Sequence, residues 1–201
     1  MRAGFLGIAA LALLAACDGS MERAADTASV TPASNAPPLC TAPVRKEIAF
    51  TAPDAKDVLE ITAVGADCKQ SSVLATIRSA SGDLLWSRAE SAQMTMVFAG
   101  LDQSTETPEH ALQAQMKGWA DSVEIKTSAD APEWKEGDER PSEPTGLFIG
   151  TEFPRDQYLG VRVEKRPMLC HMIYMLRTQC LIYFPADGGL GYATEYYNLQ
   201  S

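Results

Sequence analysis

Apolar and polar side chains alternate along much of this chain, and the period-two runs predict strands. "RKEIAF" (45–50), "DVLEITAV" (57–64) and "SVLATIR" (72–78) carry β-branched residues on alternating faces. Ala80-Ser81-Gly82-Asp83 is turn chemistry leading into "LLWSRA" (84–89), a hairpin. "MTMVFA" (94–99) continues the meander with Met94, Met96 and Phe98 on one face. Such faces need a shared core, so the pattern predicts a mainly β (α+β) domain, a curved antiparallel sheet or barrel-like structure with one main amphipathic helix.

That helix begins after Thr107, a good N-cap, with Pro108 in the first turn and Glu109 complementing the dipole. Leu112, Met116 and Trp119 then fall at i, i+4 and i+7, a stripe able to seal one side of a sheet, and the helix should end near Ala120. "VEIKT" (123–127) reads as a strand. Residues 131–153 carry Pro132, Pro141 and Pro144 in an acidic run, which predicts a long loop pinned by Trp134. In 158–165, Leu159, Val161 and Val163 alternate with Gly160, Arg162 and Glu164; this favours a strand, while the nearby prolines also permit a short helix. "CLIYF" (180–184), the turn "ADGG" (186–189) and "LGYATEYY" (190–197) predict a closing hairpin. Its turn echoes "ASGDLLWS" (80–87), although glycine-turn hairpins recur widely enough for chance to account for it.

The first residues follow a different pattern. Met1 and Arg2 precede an apolar run from Ala3 to Ala16, shorter than the roughly 18–20 residues that cross a bilayer and suited to the hydrophobic region of an export signal. Leu14-Ala15-Ala16-Cys17 resembles the lipobox of bacterial lipoproteins. The resemblance implies that residues 1–16 are a signal peptide, that the Cys17 sulfur receives a diacylglycerol, and that the new amine is acylated. Two or three chains on one residue suffice for stable anchoring, where a single chain does not. The expected address is the bacterial cell envelope facing the periplasm, with Asp18 leaning toward inner-membrane retention. Residues 17–39, rich in Ala, Ser, Thr and Pro and without an aromatic, predict an anchor and flexible tether, leaving 40–201 as the folded domain.

Removing residues 1–16 takes away Arg2 alone and shifts the net charge of −9 by one, to −10. That argues against nucleic acid and against a polybasic grip on anionic lipid, and it suits solubility or a basic protein partner. With Cys17 lipidated, Cys40, Cys68, Cys170 and Cys180 remain, an even count that reads as two disulfides in an oxidising compartment. Cys40 and Cys68 lie fourteen residues either side of Asp54, the centre of the candidate turn "APDAK", and Cys170 and Cys180 close a short loop. The favoured pairing is therefore 40–68 with 170–180. No CxxC spacing suggests redox or zinc chemistry.

Catalytic signatures are lacking. Of the two histidines, His110 falls in the first turn of the helix, where solvent exposure is expected. His171, beside Cys170, is expected to pack or hydrogen-bond locally. No GxSxG, phosphate-binding glycine loop or HExxH occurs. Met168, His171, Met172 and Met175 around Cys170, with Met94 and Met96, raise Cu(I) binding as a remote alternative, but thioethers more often fill cores; neither a metal nor a cofactor is expected. Within "CHMIYMLRTQC", Met172, Ile173, Tyr174, Met175 and Leu176 make a candidate interaction loop, because turns are rarely this apolar.

"IRSASGDLLWS", "PEW" and "RPMLCH" followed by a further cysteine resemble segments of lipoproteins of Gram-negative bacteria to which no activity is attached. The address, the acidity and the Ser81-Gly82 turn are also similar to those of lysozyme-inhibitor lipoproteins, although the motif around their turn is absent and this chain is longer. The reading is a membrane-tethered periplasmic lipoprotein acting by non-catalytic binding or as an envelope component, with inhibition of a basic lysozyme-like enzyme as the alternative.

Overall fold

The computed structural model describes residues 38–92, 105–142, 146–174, 177–185 and 189–198. These form a mainly β, wholly antiparallel structure with two α-helices. The strands β1 (Val44–Ile48), β2 (Asp57–Val64), β3 (Ser72–Arg78) and β4 (Leu84–Ser91) make a first sheet in sequential order. The second sheet contains β5 (Glu124–Thr127), β6 (Gly146–Gly150), β7 (Pro167–Tyr174), β8 (Arg177–Phe184) and β9 (Gly189–Asn198), in the order β5-β7-β8-β9-β6. The strands are thus divided between two sheets instead of sharing one, and neither closes into a barrel among the described residues. "MTMVFA", with Met94 and Met96, lies outside them.

The first sheet forms where alternation is clearest. Leu59, Ile61 and Ala63 of β2 and Val73, Ala75 and Ile77 of β3 are buried, while their neighbours are not. The turn before β2 is organised by buried Asp57, whose carboxylate accepts from the Phe50 and Thr51 amides at 3.1 and 2.7 Å. Over the buried face lies α1 (Pro108–Ser122). Thr107 caps it, and Leu112, Met116 and Trp119 turn inward as the stripe requires. At its C-terminus the Ala120 carbonyl accepts from the Val123 amide, and Lys46 of β1 donates its ammonium to the Ala120 and Val123 carbonyls at 2.9 and 2.8 Å.

The second sheet is covered on both faces. On β7 and β8, Leu169 and Leu181 join the core beneath α1, while Met168, Cys170, Cys180 and Ile182 join a second core. That second core is closed by α2 (Arg155–Glu164), a helix where the alternation favoured a strand. Tyr158 and Val161, three apart, point inward, whereas Val163 is 80% exposed, so a helical period replaces the apparent period of two. Tyr158 anchors the helix by donating its hydroxyl to the Pro132 carbonyl at 2.8 Å and meeting Trp134 edge-on.

Trp134 pins its loop as expected, donating to the Asp138 carbonyl at 2.9 Å. The run read as loop nevertheless contains β6, an edge strand whose register to β9 (Phe148 opposite Tyr196) was hidden by the surrounding prolines. Pairing also starts slightly before Cys40, with Leu39 bridged to Val64.

Candidate functional site

Both disulfides have the expected connectivity, Cys40–Cys68 and Cys170–Cys180. The second joins residues directly opposite each other on β7 and β8, so the described parts of "CHMIYMLRTQC" are two paired antiparallel strands. Met172 and Ile173 lie in the last three residues of β7; Met172 is 38% exposed and Ile173 half-buried. The Tyr174 backbone pairs with Arg177. The Tyr174 side chain, Met175 and Leu176 lie outside the described residues, as does Cys17. The sulfur and imidazole groups that raised copper do not converge: successive strand residues point to opposite faces, so buried Met168 lies across the sheet from His171. Among the described residues no three His, Cys, Asp or Glu side chains are grouped to hold a metal. His110 is exposed on α1, beside an open groove of about 620 Å³ between α1 and β1.

What the structure does bring together is a polar seam where the two sheets meet. Trp86, Arg88 and Glu90 of β4 are paired with Ile77, Ala75 and Val73, and so share the inward face of their sheet. Arg88 and Glu90 form an ion pair there. Facing them across the seam are His171, Gln179 and Glu195, aligned in register across β7, β8 and β9. Glu195 pairs with Arg177 and accepts from the Tyr192 hydroxyl at 2.8 Å. Burial pushes the Tyr192 phenol up to about 12, the Arg177 charge opposing it.

His171 sits at the centre, only 1% exposed. Its ring meets Trp86 of the first sheet at 5.2 Å and Trp119 of α1 at 5.8 Å, both edge-to-face. The Trp119 indole N–H donates to the Met172 carbonyl at 2.9 Å, holding α1 to the strand that carries His171. Burial, reinforced by the Arg88 charge, lowers the imidazole to about 4, against weaker support for the charged form from the Met172 backbone and Gln179. No described group lies in hydrogen-bonding geometry to either ring nitrogen. At neutral pH the ring is an uncharged wedge.

No family model, curated protein or solved structure matches the chain. Part of the seam was within reach of the sequence: a strand at 84–89 with Trp86 inward necessarily carries Arg88 on the same face. His171 was expected to pack locally; its role as a wedge between elements distant in sequence was beyond any local pattern.

Proposed function

We propose that this chain is a lipid-anchored protein of the bacterial envelope whose periplasmic β domain acts by binding a partner or as an envelope component, without catalysing a reaction. The observation that carries the reading is the combination of a lipobox-like Leu14-Ala15-Ala16-Cys17 with two disulfides further along the chain. Disulfides persist in oxidising compartments, and the lipobox supplies the export and the anchor that would bring the domain to one. The acidic charge favours a basic protein over nucleic acid as partner.

The test is Cys17→Ala in the full chain, expressed in a Gram-negative host with a labelled fatty acid. Wild type should incorporate label and fractionate with membranes. The variant should incorporate none and accumulate as precursor, since processing of a lipoprotein requires the modified thiol. A Cys17→Ala protein that matures and stays with membranes defeats the reading.

A second reading, inhibition of a basic lysozyme-like enzyme, is favoured by the exposed β3–β4 tip. There Ser81 donates to the Asp83 carboxylate at 2.6 Å, presenting an ordered acidic turn. Loss of lysozyme activity near a 1:1 molar ratio supports it; full activity in tenfold excess of this protein rejects it.

A further inference from the structure

The two disulfides share a topological feature: neither crosses the seam. Cys40–Cys68 closes the first sheet's own hairpin region, and Cys170–Cys180 joins neighbouring strands of the second. Across the seam the sheets are held by noncovalent contacts, with His171 wedged between Trp86 and Trp119. On the first-sheet side the contact is made by β4, an edge strand among those described, whose Trp86 remains half-buried.

We propose that His171 is an acid-operated pin: neutral, it locks β4 and α1 against β7, and on protonation it releases that seam while each sheet stays folded. A charged imidazole here gains only the weaker support of the Met172 backbone and the Gln179 side chain, against burial and the Arg88 charge. Arg88, on β4, repels it, and Glu90 on the same strand is already engaged by Arg88. Gln179, opposite on β8, is uncharged. Glu195 on β9 is committed to Arg177 of β8 and to the Tyr192 hydroxyl, and α1 contributes the uncharged Trp119. Opening returns the imidazolium to water, so acid favours the open form.

The sign follows from linkage. The closed form titrates at about 4 and a solvated histidine at about 6.5, so opening takes up a proton between those limits. The seam is tightest above pH 6.5 and loosens as pH falls toward 4. From pH 7.5 to 5 the opening constant should rise on the order of thirtyfold.

The Trp119 indole N–H, bonded to the Met172 carbonyl, is a reporter within the seam. Hydrogen exchange followed by NMR, corrected for intrinsic rate, should show its protection falling on the order of thirtyfold over that range. The Ile61 and Ala75 amides, inside the first sheet, should keep theirs, and His171→Gln should keep indole protection constant with pH. Protection independent of pH in the wild type overturns the proposal, as does an equal loss in His171→Gln. Parallel loss at Ile61 and Ala75 also overturns it, because that is global acid unfolding. Should His171→Gln not fold, the wild-type ring decides: His171 must titrate well below 6.5 in the closed form, and a midpoint at 6.5 or above overturns the pin.

Discussion

Gly191→Ala should cost about 3 kcal/mol or more, at or beyond the upper end of ordinary overpacking. Gly191 lies on β9 opposite Ile182, at the floor of the second core. A Cβ built there would fall 2.3 Å from Phe153 Cζ and 2.6 Å from Phe184 Cε2, distances no real methyl occupies. Neither ring can easily withdraw. The two pack edge-to-face with centroids 5.7 Å apart, Phe153 is 6% exposed, and the Arg166 guanidinium covers the Phe184 face at 5.0 Å. Gly118 is the comparison. On α1, a Cβ there meets nothing within 4 Å, so Gly118→Ala should stabilise by up to about 1 kcal/mol through helix propensity. Urea unfolding of both variants checks the pair, and a wild-type midpoint for Gly191→Ala would mean that the second core is looser than described.

The elements that were legible in the sequence are those whose cause is local. The strands β2 and β3 occupy the predicted residues because each alternation buries one face against a single partner layer. Thr107, Pro108 and the Leu112–Met116–Trp119 stripe likewise specify α1 within one segment; it runs to Ser122, where Lys46, distant in sequence, adds hydrogen bonds to the Ala120 and Val123 carbonyls. The division into two sheets depends on which strands meet. Because β7 and β8 are covered on both sides, adjacent Met168 and Leu169 are equally buried in different cores, and the alternation that would have assigned a face disappears.

The first disulfide shows a correct pairing reached through an inaccurate register. A hairpin centred on Asp54 would set Cys40 opposite Cys68. The observed pairs, Val44 with Ile61 through Ile48 with Asp57, centre the hairpin between Ala52 and Pro53. Toward Cys40 the register slips by two, Leu39 bridging to Val64, and the Cys40 amide donates to the Ala63 carbonyl at 3.0 Å. Cys68 comes within reach because the chain bends at Gly65, which has φ +143°, and enters a 3₁₀ turn at Cys68–Gln70 capped by Asp67. Turn chemistry at 65–70 thus determines the contact, and it would have been readable from the glycine and aspartate. The seam around His171 had no such local signature: Trp86, Trp119 and His171 come from three elements, joined only when both sheets and α1 are in place.

Reduction of both disulfides should remove about 6 kcal/mol of stability, comparable with the roughly 5–15 kcal/mol that holds a typical domain folded. In the chain-entropy account, a bond spanning 28 residues contributes about 3.6 kcal/mol and one spanning 10 residues about 2.7 kcal/mol. The two loops occupy separate stretches of chain, so each restricts the unfolded ensemble independently and the contributions add. The folded state loses little in exchange, since the four sulfur atoms remain as thiols and the β7–β8 ladder holds Cys170 opposite Cys180 without the bond. Cys68, Cys170 and Cys180 are all buried, so reduction calls for denaturant followed by refolding with reductant present. Urea unfolding should then give the reduced protein a midpoint well below that of the oxidised protein. A reduced protein with the oxidised midpoint would show that the bonds add nothing to stability.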